Sequence, residues 1–222
     1  MKNKISWLEK NISLPVLVKP EAEKENSISH AIAAFMAFVG IIYIIANLNT
    51  VSNTNLKIGL IIFGLSNFLL YFASALYHGL PKNNAKRICR ILDHSNIYFL
   101  IAGTYTPMLM YANTAKSLNI FYFLWIIALS GVGFTLIFWG KLKPLHVVLY
   151  LVMGWLLLFF WKDIIPNIPK GVIPYIITGG LLYTLGVIFY AFKKIPHGHL
   201  IWHLFCLAAS LTFYIAILKF FI

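Results

Sequence analysis

The chain has 222 residues, of which 60% are hydrophobic and only 11% charged. A soluble fold of this length could not hide so much apolar surface, and disordered chains are polar and charged rather than apolar. The formal net charge of +12 is spread thinly between apolar runs, which argues against a nucleic-acid groove and suits loops that face anionic lipid. An all-α integral membrane protein is the class that remains.

The first 29 residues hold five Lys and four Glu together with Trp7, Pro15 and Pro20. They are expected to form a cytoplasmic or interfacial segment ahead of a membrane domain over residues 30–222. The apolar run 12–18 is short, is broken by Pro15 and lacks a small-residue cleavage site, so it does not read as a signal peptide. Seven apolar stretches follow, each able to cross a hydrocarbon layer of about 30 Å at about 1.5 Å per residue. They run over His30–Leu48, Ile58–His78, Ile91–Tyr111, Leu118–Trp139, Leu145–Trp161, Val172–Phe192 and His199–Leu218. Short connections rich in Pro, Asn, Lys and Gly separate them and leave no room for a second folded domain. Gly131-Val132-Gly133 and Gly179-Gly180 permit close helix approach. Pro107 and Pro174 are expected to kink the third and sixth spans or to sit near their ends. Cys89 and Cys206 belong to different runs and are expected to be free thiols.

Basic residues set the orientation. With the N-terminus inside, 13 of the 18 Lys and Arg fall on the cytoplasmic side and only Lys57, Lys116, Lys162, Lys170 and Lys219 fall outside. The expected architecture is thus a seven-transmembrane helix bundle with a cytoplasmic N-terminus and an external C-terminus. The Asn11-Ile12-Ser13 sequon then lies in the cytosol and is read as chance.

This topology puts all seven histidines in the cytoplasmic half, although histidines also favour interfaces for bland reasons. Asp93 is the one acid inside a predicted span. It reads either as a helix N-terminal charge or as an ionisable group facing the bundle interior with a partner. His199 and His203 are four apart and share a helix face. That spacing suits two imidazoles on one zinc, although interfacial pairs at this spacing are common. Ser74 and His78 form a second such pair, Ser74 lying one turn deeper. A lone membrane serine usually bonds its own backbone. A third imidazole at this depth would instead complete a three-histidine site with an open position for water, the pattern of a catalytic zinc. His30 reads as a helix start or as a partner to a carboxylate. His94 is expected to point about 100° away from Asp93, and His146 and His197 to be interfacial. Cys206 is not needed as a ligand.

The motifs Ser74-x-x-x-His78, Arg90-Ile91-Leu92-Asp93-His94-Ser95, Gly103-Thr104-Tyr105-Thr106-Pro107 and His197-Gly198-His199 running into His203 resemble the hemolysin III family. These bacterial membrane proteins are relatives of the progestin and adipoQ receptors and, more distantly, of the alkaline ceramidases. The resemblance runs from about His30 to the C-terminus. It implies a zinc near the cytoplasmic face held by His78, His199 and His203, with Asp93 at the water on the metal and Ser74 alongside. The short terminal segments make a receptor for a protein hormone the wrong picture.

The expectation is therefore a zinc-dependent intramembrane hydrolase. Asp93 would act as base and Ser74 as hydrogen-bond donor, and the substrate would be a lipid amide or ester taken from the inner leaflet of the cell membrane. Two rivals stand beside it. One is a membrane sensor or regulator with a structural zinc. The other is a cytolytic pore, which fits poorly because strong polarity clusters at one end of the spans rather than along a path.

Overall fold

The structure, a computed structural model, describes residues 6–15, 19–192 and 194–222. Lys2, Lys4, Lys193 and part of the apolar run 12–18 lie outside the described residues. Among the described residues the regular secondary structure is all helical. A short helix, α1 (Trp7–Asn11), precedes the long helices α2 (Pro20–Ala46), α3 (Thr54–Gly79), α4 (Asn84–Ala112) and α5 (Ala115–Ile137). Then come α6 (Lys143–Gly154), a single turn α7 (Trp161–Ile164), α8 (Ile173–Ala191) and α9 (Gly198–Phe220). The long helices neighbour one another in chain order, and α9 packs back on α2, so the bundle closes on itself.

Local chemistry sets the boundaries. Asn53 and Asn83 cap α3 and α4 by accepting from Leu56 N and Lys86 N, and Thr114 caps α5 through Ser117. Pro20 opens α2, where the missing N–H costs nothing, and Glu21 and Glu23 occupy the first turn. α2 thus begins ten residues before the expected span, and the boundary at residues 29 and 30 falls inside it. Pro174 sits in the first turn of α8, while Pro107 lies inside α4.

Five helices are long and apolar enough to cross a membrane, and the bent pair Pro144–Leu158 with Trp161–Asn167 would make a sixth. α4 has the length of a span but the least apolar sequence of the long helices. Its position explains the tolerance: Tyr98, Leu100 and every residue from Ala102 to Met110 are buried, so α4 faces protein rather than lipid. On the outer helices Phe35, Ile42, Ile126, Leu129, Ile137 and Phe159 are exposed, as lipid-facing residues are. The core between the helices is built on Ile44, Phe63, Tyr98, Leu109, Leu124, Met153 and Ile217. Close approach is real at Gly131, where a Cβ would run into the Tyr98 ring, whereas Gly133 faces open space.

The expected fifth span, Leu145–Trp161, is not one straight helix. α6 stops at Gly154, and the chain turns through Leu156–Leu158 before α7, the two parts meeting at 48°. A break inside a bilayer exposes backbone groups that water cannot satisfy. Tyr105 of α4 takes two of them: its hydroxyl donates to Gly154 O at 2.6 Å and accepts from Leu157 N at 3.0 Å.

Candidate metal centre

Two helices bring the predicted ligands together. His78 ends α3, and His199 and His203 stand one turn apart at the start of α9. One nitrogen of each lies within 4.8 Å of the others, close enough for the three to share one metal ion. His78 Nε2 and His199 Nε2 are 3.3 Å apart. Two ligands at metal–nitrogen distances of about 2.0–2.1 Å in tetrahedral geometry stand about 3.3 Å from each other. His78 and His203 are buried and His199 is partly buried.

The second nitrogens are also placed. Ser29 Oγ lies 2.9 Å from Asn26 O, to which it donates, and 3.0 Å from His203 Nδ1, from which it can accept. That arrangement favours the His203 tautomer with its proton on Nδ1 and its lone pair on Nε2. His78 Nδ1 lies 3.5 Å from Glu23 Oε2, a contact with an anion that likewise favours the proton on Nδ1. Glu23 is itself fixed by buried Lys86, whose Nζ reaches Glu23 Oε2 at 2.7 Å, Leu80 O at 3.1 Å and His78 O at 3.3 Å. Both contacts favour the tautomer that turns a lone pair away from α2, the one a metal ligand needs. The three converging nitrogens with these partners behind them make a donor set that fits a metal ion.

Asp93 and Ser74 complete the floor. Ser74 Oγ is fully buried and lies against Asp93, close enough to act on its carboxylate. Asp93 is within electrostatic reach of His78 and His199. His94, expected to point away, turns its ring back instead. Its Nδ1 donates to Arg90 O at 3.0 Å and lies 3.4 Å from Asp93 Oδ2, so adjacent residues on one helix do meet. His30 is buried and stacked on His203 with centroids 3.4 Å apart, and neither of its ring nitrogens has a hydrogen-bond partner. It does not meet the carboxylate envisaged for it. His146 bonds Tyr98 through Nδ1, and exposed His197 pairs with Glu25. Cys206 packs with Ala33, Ala37 and Tyr71, apart from the histidine cluster, and both cysteines are free.

Glu23, Ser29 and Lys86 are the parts that sequence reasoning missed. Glu23, Asn26 and His30 recur at helical spacing, and Asn26, Ser29 and His30 are all buried. A polar face on the first turns of a helix opened by Pro20 was the available signal.

Beside the cluster a cavity of about 840 Å³ lies between α4, α5, α6, α8 and α9, with His199 in its wall. Its lining is mainly apolar and aromatic, including Trp139, Tyr150 and Tyr190. A substrate in this cavity would reach the candidate centre from the side of His199.

A multi-pass helical membrane protein with a three-histidine cluster at one end of its bundle is the class these features define. Comparison with known proteins makes it more specific. Residues 19–214 match the family model described as haemolysin-III related. The chain is 32% identical over 211 residues to Hemolysin-3 of Bacillus cereus, covering 95% of each chain. It is 34% identical over 197 residues to the Hemolysin-3 homolog of Bacillus subtilis (strain 168), covering 88% of this chain and 92% of that one. It is 30% identical over 171 residues to the human monocyte to macrophage differentiation factor, covering 74% of this chain and 71% of that protein. The chain belongs to the haemolysin III-related family of membrane proteins.

Proposed function

We propose that the protein is a zinc-dependent hydrolase of a lipid amide or ester. It sits in the cell membrane in seven spans, α4 and the bent α6–α7 pair included, with its N-terminus cytoplasmic and its C-terminus outside. The observation that carries this reading is the convergence of His78, His199 and His203 beside Asp93 and the buried Ser74 hydroxyl. His78, His199 and His203 would hold the metal. When bound, zinc polarises a carbonyl and makes water acidic enough to attack near neutral pH.

The chain's own residues do the rest. Glu23 and Ser29 keep His78 and His203 in the ligating tautomer. Asp93 accepts a proton from the water that adds to the acyl carbon. The C–N or C–O bond then breaks, and Asp93 returns that proton to the departing amine or alcohol. The Ser74 O–H, turned from Asp93 towards the substrate, stabilises the oxyanion. The membrane supplies the lipid, which enters through the cavity at His199.

Elemental analysis of the purified protein tests the first step. The expected result is about one zinc per chain, lost in His199→Ala and His203→Ala. Wild-type protein that is folded and freshly purified yet metal-free overturns the reading. So does zinc-loaded protein that cleaves nothing on a broad panel of lipid amides and esters.

A second reading is a zinc clasp without catalysis in a membrane sensor. It is favoured by the fact that the ligands and their partners come from α2, α3 and α9, the first, second and last long helices. Metal binding there would stabilise the bundle. Asp93→Asn separates the two readings, since it removes a base yet leaves the ligands in place.

A further inference from the structure

The cavity beside His199 has a feature that the hydrolase reading does not use. Its charged lining is Arg90 and Lys141, and no carboxylate lines it among the described residues. Lys141 is exposed at the turn after α5, as an ordinary cytoplasmic lysine would be. Arg90 is different. Its guanidinium stands 5.9 Å from the Tyr77 ring centroid and 5.4 Å from that of Trp139, cation–π contacts that hold it in one place. One terminal nitrogen, Nη1, donates to Ser13 O in the segment after α1. Nε is buried and has no hydrogen-bond partner, and no ion pair to Arg90 is present among the described residues.

A guanidinium binds carboxylates and phosphates through parallel N–H donors, and Arg90 stands in the cavity wall with no carboxylate paired to it among the described residues. The geometry points to an anionic amphiphile as the ligand of this cavity. Its negatively charged oxygens would lie on Arg90, with Lys141 at the rim, its acyl chain would run along the apolar wall, and its acyl carbonyl would lie towards His199. In the terms of the proposed activity, the substrate class is an acyl amide or ester whose leaving group bears a carboxylate or a phosphate. That assignment rests on the hydrolase reading for the bond cleaved; the binding preference does not.

The test is equilibrium binding by titration calorimetry of the full chain in neutral detergent micelles. Three probes of equal chain length are compared: N-palmitoylglycine, N-palmitoylethanolamine phosphate and neutral N-palmitoylethanolamine. The expected result is that at least one anionic probe binds about 10- to 100-fold more tightly than the neutral one, the range of one charge-assisted bidentate contact. Whether the carboxylate or the phosphate leads identifies the anion. In Arg90→Gln the ratio of anionic to neutral affinity falls to near one. Arg90→Lys, with charge but no fork, restores part of it. Lys116→Gln, which removes a cation paired with Asp163 and absent from the cavity lining, keeps the full ratio.

Equal affinities for all three probes in the wild type overturn the proposal. An unchanged ratio in Arg90→Gln also overturns it, and shows that Arg90 serves only to hold Ser13. An anionic preference in a protein that hydrolyses nothing supports this inference and sinks the hydrolase reading. Hydrolysis without any anionic preference does the reverse.

Discussion

Ser29→Ala removes one oxygen and tests whether α2 tunes the metal centre. In the wild type the hydroxyl donates to Asn26 O and favours donation from His203 Nδ1. With alanine, His203 Nδ1 loses the hydroxyl and keeps only the Asn26 carbonyl as an acceptor, so the tautomer that puts the proton on Nε2 is less strongly disfavoured. One buried hydrogen bond is worth about 0.5–1.5 kcal/mol, and each 1.4 kcal/mol is about tenfold in affinity. Zinc affinity should therefore weaken by roughly 3- to 10-fold. The assay is competition for zinc against a fluorescent chelator, with the visible spectrum of the cobalt-loaded protein as an independent readout of ligand geometry. Ser29→Thr keeps the hydroxyl and should restore affinity. The melting temperature of the metal-free protein should move little, because only a small polar group is lost. Zinc affinity in Ser29→Ala within twofold of the wild type would refute the tautomer argument.

Other outcomes follow from named contacts. Asp93→Asn should lower hydrolysis by about 100-fold or more while zinc content stays near the wild-type level; loss of zinc in this variant would recast Asp93 as a ligand. Lys86→Met should destabilise the protein by about 3 kcal/mol, because it strips Glu23 and two carbonyls at the end of α3 of their donor. Thermal denaturation in detergent checks this, and a shift of a degree or less would count against the buried pair. Gly131→Leu should cost about 1–3 kcal/mol by forcing α5 away from Tyr98, whereas Gly133→Leu should be close to neutral. Purified protein in dye-loaded liposomes at low density should release no dye; rapid leakage would favour the pore.

Much of this was legible in the sequence because it depends on local periodicity. Apolar length located the helices, and the four-residue spacings of Ser74 with His78 and of His199 with His203 survive in the structure as shared faces. What was not legible depends on partners distant in sequence. Ser29 meets a residue 174 positions away, and no pattern within α2 announces that. The break after Gly154 depends on a tyrosine 49 residues upstream that accommodates the exposed backbone groups. His94 was misplaced for a different reason. A helical wheel gives the direction of the Cα–Cβ bond, and a ring with two rotatable bonds can swing back to a neighbouring carboxylate.

The centre is assembled from both ends of the polypeptide, α2 contributing Glu23 and Ser29 and α9 contributing His199 and His203. During synthesis Ser29 and His78 are therefore made long before the last two imidazoles leave the ribosome. An inserting chain carries one of the three histidines without the other two until α9 docks against α2. Arrival of the metal would then act as a receipt for complete insertion, and a chain stalled before residue 199 would be chemically distinguishable from a finished one by its inability to retain the ion.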